Sequence, residues 1–278
     1  MRPGSIGDPQ SLRQAMAGIT HVIHCAGAAR ASRVSEFYEV NQAGTRNVVS
    51  AVNGQEGRVQ RMVHVSSLAA AGPAVRDAPA REETPPHPVS EYGKSKLAGE
   101  LEVSNHCRAE YVILRPPAVY GPRDAEFLRL FQAVKSHVLP KPSGGQALSL
   151  VFVQDLAEAV VACLTHPAAV GKTYFVATRE IVTARSMADE IAAQMNVWTL
   201  PLPLPRALLW PVCLVREGLS RLTGRPSVLS LQKFAELRAP GWVCDPSRLA
   251  REIGCACTTT LKAGVAQTLT WYRQHHWL

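Results

Sequence analysis

Two textures alternate along this chain. Short unbroken apolar runs are separated by longer stretches in which apolar residues return every three or four positions. The first texture predicts buried strands and the second amphipathic helices. Strands are predicted over residues 21–26 (HVIHCA), ending at Gly27, and 61–66 (RMVHVS), ending at Ser66-Ser67. Others fall at 111–115 (YVILR), stopping at Pro116-Pro117, and near 149–153 and 173–177. Helices are predicted at about 35–53, 124–136, 154–165 and 183–195. Another starts after Ser90, a suitable N-cap, where a loop rich in proline (Pro79, Pro85, Pro86, Pro88) ends. Strands alternating with helices predict an α/β fold, a doubly wound parallel sheet with helices on both faces, over residues 1–178. After about residue 196 prolines, tryptophans and arginines mix with helical patterns at about 205–222, 227–238, 245–253 and 259–275. Residues 179–278 therefore read as a smaller, mainly helical lobe for the substrate, interleaved with the core.

Composition narrows the function classes. The chain has 278 residues, 46% of them hydrophobic, enough for a sizeable core. The net charge of +8 comes mostly from scattered arginine, 23 against 7 lysines, with no basic block of the kind that binds nucleic acid. Anionic small molecules or a membrane surface remain as partners. Cys25 and Cys163 sit in apolar runs and read as small core residues. Cys255 and Cys257 have no second pair at metal-ligand spacing, so no metal site is expected. This usage fits a reduced, cytoplasmic compartment, and residues 1–18 lack the apolar core of a signal peptide. The greasiest stretch, 191–215, is interrupted by Pro201, Pro203, Pro205, Arg206 and Pro211, so no transmembrane span is expected.

The candidate chemistry starts at Tyr92 and Lys96. Four apart on a helix, they share one face. An ammonium beside a phenol eases loss of the phenolic proton, which suits an acid/base centre. The same spacing also suits a solvated helix face. Ser66-Ser67 sits where a parallel strand ends, the place where such sheets bind ligands. A hydroxyl there can donate to a substrate carbonyl, or simply cap the loop.

Several strings in order sharpen this. They are His24-Cys25-Ala26-Gly27, Asn41-x-x-Gly44-Thr45, Ser66-Ser67, Tyr92-x-x-x-Lys96, Arg115-Pro116-Pro117-x-Val119-Tyr120-Gly121-Pro122, Val153-x-Asp155-Leu156-Ala157 and the ending Trp271-Tyr272-Arg273…Trp277-Leu278. Together they resemble the extended short-chain dehydrogenase/reductase superfamily, in its NAD-dependent epimerase/dehydratase and 3β-hydroxysteroid dehydrogenase branch. The resemblance implies a Rossmann-like fold and NAD or NADP as cofactor. It implies that Tyr92 is the general acid/base and that Lys96 holds the nicotinamide ribose and lowers the Tyr92 pKa. Ser67 would polarise the reacting carbonyl, with Ser66 beside it near the cofactor, and Asn41 would support a water in the proton relay. Ala26 and Gly27 would pass close to the cofactor, and Pro117 and Val119 would touch the nicotinamide. Members often pair through the helix of the Tyr/Lys motif, which here offers Leu97 and Leu101 to a homodimer or to the core.

One family element is missing. None of the 19 glycines forms G-x-G-x-x-G or G-x-x-G-x-x-G, the turn that carries the pyrophosphate. Gly7-Asp8 instead resembles a later Gly-Asp element that lies near the adenine, with Pro9 in place of an aliphatic residue, which makes Asp8 a cofactor candidate. The expectation is a chain that starts inside the family's fold, as a fragment or from a late start codon. Its strand at 21–26 would then lie at a sheet edge with hydrophobic faces uncovered, and nothing chooses between NAD and NADP. Three functions follow as expectations. The first is an NAD(P)-dependent oxidoreductase for a secondary alcohol or ketone of a small or sterol-like apolar substrate. The second is a nucleotide-sugar epimerase or dehydratase with tightly held NAD. The third is a truncated, non-catalytic Rossmann-like protein, peripheral to a membrane through residues 206–222.

Overall fold

The computed structural model describes residues 4–142, 145–204 and 231–278. The chain enters through helix α1 (Pro9–Ala15). Pro9 fills its first turn, and the Asp8 carboxylate accepts from the Gln10 amide at 2.9 Å. Strand β1 (His21–His24) follows. The helix predicted over 35–53 forms in three pieces. These are α2 (Val34–Tyr38), a π-turn at Glu39–Ala43 and α3 (Gly44–Asn53). Single π-turns in longer helices are frequent at functional sites, and this one carries Asn41.

Strand β2 (Arg61–Val65) leads through Ser66 and Ser67 into the short α4 (Leu68–Ala71), which Ser67 caps. The proline-rich loop delivers the chain to α5 (Glu91–His106), whose N-cap Ser90 accepts from the Gly93 amide at 3.1 Å. Two glycines let α5 dock closely. A Cβ at Gly93 would strike the Ala69 carbonyl, and one at Gly99 the Asn41 carbonyl. Next come β3 (Glu110–Arg115), β4 (Ala118–Tyr120), α6 (Ala125–Lys135), β5 (Val138–Pro142), β6 (Ala147–Phe152), α7 (Val153–Thr165) and β7 (Lys172–Phe175). The remainder comprises β8 (Ile181–Val182), α8 (Ala184–Met195), β9 (Leu200–Leu204), α9 (Leu231–Arg238), β10 (Gly241–Trp242), α10 (Ser247–Ile253) and α11 (Leu261–Gln274).

The main sheet runs β1-β2-β3-β7, all parallel, with His24 opposite His64 and Val65 opposite Leu114. Successive strand residues point to opposite faces. Met62 packs with Val48, Val49, Val52 and Val103 on one side, while Val63 packs with Val160, Cys163, Leu249 and Ile253 on the other. The sheet is thus covered by helices on both faces, as the alternation of textures predicts. Among the described residues β1 pairs with β2 alone, and Ile23 is 45% exposed, in line with the expected edge.

Sequence patterning did not resolve a second sheet. In it β6 lies between β4 and β10 in parallel, and β8 pairs with β6 antiparallel. These strands are short, two to six residues, and take their identity from partners distant in sequence. Their core joins Tyr120, Phe131, Phe152, Ile191, Leu269 and Tyr272, which ties α6, α8 and α11 together. The helix predicted at 227–238 is present as Leu231–Arg238, and the one at 205–222, with its membrane contact, lies outside the described residues. Among the described residues no helix is long and apolar enough to cross a membrane. Cys163 is fully buried as expected, but Cys25 is exposed, because it has already left β1 and reached the loop beyond the sheet.

Candidate active site

The carboxyl ends of β1 and β2, the start of α5 and the π-turn converge on one spot. Lys96 is 5% exposed, and its Nζ donates to the Val65 carbonyl at 2.8 Å. Burial lowers its pKa to about 8, with Glu100 and then Cys25 pulling the other way. Asn41, 1% exposed, is held at both ends of its amide. Its Oδ1 accepts from the Ala28 amide at 2.8 Å, and its Nδ2 donates to the Ala28 carbonyl at 3.0 Å and to Ser95 Oγ at 2.9 Å. Ser95 Oγ in turn donates to the Tyr92 carbonyl at 2.7 Å. Asn41 therefore connects the loop after β1 to the turn of α5 that carries Tyr92.

Tyr92 is half-buried, with its ring 6.0 Å from that of Phe37. Its pKa lies above the usual value for a phenol. Burial is the main cause, a hydrogen bond from Ser67 opposes it, and the charge of Glu236 adds to it. The sequence reading expected Lys96 to lower this pKa. Here the Lys96 ammonium donates to the Val65 carbonyl, and burial holds the Tyr92 pKa above its usual value.

Ser66 departs more clearly from its expected place. It is 5% exposed, and its hydroxyl donates to Glu100 Oε1 at 2.5 Å. Glu100 also takes a two-pronged bond from Arg115, at 2.9 and 2.6 Å, and both side chains are almost fully buried. Ser66 thus points into an ion pair beneath the site, while Ser67, its neighbour, caps α4 by accepting from the Ala69 amide at 3.1 Å.

Cys25, Ala26 and Gly27 form an exposed strand end. A Cβ at Gly27 would sit 3.2 Å from Asn41 Oδ1 and 3.5 Å from Lys96 Nζ. The close approach there is to the chain's own side chains. Pro117 is half-buried and Val119 is 36% exposed at the end of β3 and on β4. Asp8 is exposed and caps α1.

Four participants were given no role by the sequence, although His24 and Arg115 lie within strings quoted for the resemblance. Glu100 and Arg115 are 15 residues apart and meet only through folding. His24 and His64 lie on neighbouring strands with rings 5.1 Å apart. His24 Nε2 bonds Thr45 Oγ1 at 3.0 Å, and Thr45 donates to the Asn41 carbonyl at 2.7 Å. That order makes His24 the donor to Thr45. His64 is fully buried, and neither ring nitrogen has a hydrogen-bond partner. Burial and the nearby Lys96 keep both rings neutral, pushing His24 to about 4 and His64 well below its usual value.

Lys96 makes a prediction about stability. A lysine buried with its pKa lowered from 10.5 to about 8 costs on the order of 3 kcal/mol below pH 8. The unfolded chain binds more protons between about 8 and 10.5, so this cost disappears as pH rises through that window. Lys96→Met is expected to be more stable than the parent at pH 7, less about 1 kcal/mol for the lost bond to Val65. The advantage should fade toward pH 10.5. Urea unfolding at the two pH values checks it, and equal stability at pH 7 would count against a buried charged lysine.

Comparison with known proteins places these features. The model of the NAD dependent epimerase/dehydratase family matches residues 1–177. A ceramide reductase of Caulobacter vibrioides is 33% identical over 280 residues, covering 99% of this chain and 81% of that protein. A UDP-glucose 4-epimerase of Vibrio cholerae is 30% identical over 217 residues, covering 72% of this chain and 65% of that protein. The crystal structure of the Bordetella bronchiseptica enzyme WbmG in complex with NAD and UDP superposes with a TM-score of 0.77 at 21% identity. It covers 98% of this chain and 79% of that one, a likeness of fold.

Proposed function

The chain belongs to the NAD-dependent epimerase/dehydratase family, whose enzymes use NAD or NADP, and from that membership we propose that it reduces a ketone of an apolar, lipid-like substrate to a secondary alcohol. The observation that carries the reading is Tyr92 on α5 one helical turn from the buried Lys96, whose Nζ donates to the Val65 carbonyl at the carboxyl end of β2. Ceramide reductase as a relative along 99% of the chain favours the lipid class over a sugar nucleotide. Exposed Trp198 and Leu200, 67% and 60% accessible at the start of the apolar stretch, agree with it.

The residues fit a nicotinamide ribose. The strand end Ala26-Gly27 is open, lacks side-chain bulk and is bordered by Lys96 Nζ. In this reading Ala26, Gly27 and Lys96 hold the ribose, Pro117 and Val119 border the nicotinamide, and Asp8 lies toward the adenine. The cofactor, when bound, supplies a hydride for the carbonyl carbon. Ser67 donates a hydrogen bond to the carbonyl oxygen and orients it. Tyr92 gives its phenolic proton to that oxygen, so the ketone gains one hydride and one proton. Lys96, largely protonated below about pH 8, would donate hydrogen bonds to the ribose of that cofactor. Asn41 acts by position, fixing the loop after β1 to the Tyr92 turn. Ser66 belongs to the support beneath the site.

The test uses the 278-residue chain with NADH and NADPH against a panel of sterol 3-ketones, long-chain oxo-lipids and UDP-glucose. Nicotinamide oxidation with a lipid ketone is the expected result. Interconversion of UDP-sugars with no net change in NADH would overturn the reading in favour of an epimerase.

A further inference from the structure

The helical run after β1 packs along α5, and later residues of one meet later residues of the other. Asn41 Nδ2 donates to Ser95 Oγ at 2.9 Å, and the Asn41 carbonyl lies against Gly99. Gln42 and Arg46 both donate to Glu102 Oε1, at 3.2 and 2.6 Å. This seam begins at α2. Phe37 sets its ring 6.0 Å from the ring of Tyr92, with 55° between the two planes. The next residue, Tyr38, donates its hydroxyl to Glu91 Oε2 at 2.8 Å. Two consecutive residues of α2 thus register on two consecutive residues of α5, one of them Tyr92.

α2 does not hold this place by itself. Its five residues are too few for a helix that is stable in water. Glu36 closes its first turn, accepting from the Ser32 amide at 2.9 Å and from Arg33 Nε at 3.0 Å. Those bonds order the helix without placing it on α5. Placement falls to Phe37 and Tyr38. Phe37 is buried, yet it stands outside the clusters around Met62 and Val63 that cover the two faces of the sheet. The ring it meets is that of Tyr92. Aromatic rings at this spacing interact best when tilted or offset, so the Phe37 ring restricts rotation of the phenol as well as covering one side of it.

We infer that Phe37 is a positioning residue for Tyr92, a ring that fixes the tilt of the phenol and keeps water from one side of it. The inference rests on the reading of Tyr92 as proton donor in ketone reduction and adds a residue to that centre. A proton donor must lie within hydrogen-bond reach of the carbonyl oxygen, and a small misplacement of a reacting group slows the chemistry steeply. Tyr38 supports the arrangement, because its bond to Glu91 keeps α2 down on α5 and so keeps Phe37 against the phenol ring.

The test compares Phe37→Leu, which keeps apolar bulk without a flat ring, with Val48→Ala, which opens the sheet core on α3. In Phe37→Leu, kcat for a lipid ketone is expected to fall roughly 10- to 100-fold, with the cofactor KM within about two-fold of the parent. Water reaches the phenol in that chain, and burial is what holds the Tyr92 pKa up. Tyr92 should therefore titrate at lower pH, read as tyrosinate absorbance after the curve of Tyr92→Phe is subtracted. The basic limb of kcat should move the same way. Val48→Ala is expected to lower the denaturant midpoint and to leave kcat and the Tyr92 titration as in the parent. Coincident Tyr92 titrations of Phe37→Leu and the parent overturn the inference, as do equal losses of kcat in Phe37→Leu and Val48→Ala. Where Phe37→Leu does not fold, Tyr38→Phe decides. It keeps both rings and removes only the bond to Glu91, and parent-like kcat and titration there overturn the inference. A shifted titration in a chain that reduces no ketone would sink the reductase reading while leaving the role of Phe37 intact.

Discussion

Tyr92→Phe is expected to lower ketone reduction by roughly 10²–10⁴-fold while leaving the fold and NAD(P) binding in place. The phenol is carried on α5 one turn from the buried Lys96. The ring itself, packed near Phe37, stays in the variant, so little apolar packing is lost. Only the polar interaction of one hydroxyl disappears, worth about 1 kcal/mol. The check is a pair of measurements, turnover with a lipid ketone and cofactor affinity by calorimetry. Turnover within a few-fold of the parent would remove Tyr92 from the chemistry. A matched loss of cofactor binding would instead give the residue a structural role.

The largest effect on stability is expected at Glu100. Glu100→Ala leaves Arg115, 6% exposed, as a buried cation without its carboxylate, and leaves the Ser66 hydroxyl without its acceptor. Breaking a buried pair in this way costs about 3–5 kcal/mol, a large part of the stability of a typical domain. Removing both ends, as Glu100→Met with Arg115→Met, should recover much of that loss, since two desolvated charges go together. Denaturant unfolding of the three chains tests it. The single variant carries a second consequence. Glu100 helps to hold the Lys96 charge, so its loss lowers the Lys96 pKa further below about 8 and leaves less of Lys96 protonated at neutral pH.

Much of the site was legible in the sequence because its residues occur as local strings at the ends of elements. Tyr92 and Lys96 share a helix face, Ser67 ends a strand, and Asn41 sits on the helix after Gly27. Strand ends and helix faces follow from periodicity, so convergence of these residues needed only a parallel sheet. Of the second sheet only β6, predicted near 149–153, was legible, because β4, β8 and β10 are strands of two or three residues with no period to detect. The three-piece helix at 34–53 was read as one, because a single π-turn adds one residue to a turn and leaves the apolar pattern nearly unchanged. Cys25 was assigned to the core from its apolar neighbours, whereas the strand ends one residue before it.

The sequence by itself determined the parallel α/β layering, the membership of the helix that bears Tyr92 and Lys96, and the candidate proton donor. Each is written in hydrophobic period, capping residues and short local spacings, which are properties of neighbouring positions. Tertiary structure alone decided where the charges act. It turned Ser66 to a buried Glu100–Arg115 pair, set the Lys96 ammonium on the Val65 carbonyl, placed two neutral, tilted histidine rings 5.1 Å apart near it, and brought Glu236 from 146 positions along the chain to Ser90 at the start of α5. A pKa depends on burial and on charges within a few ångströms. Those distances are set by packing between remote segments, which no local pattern records.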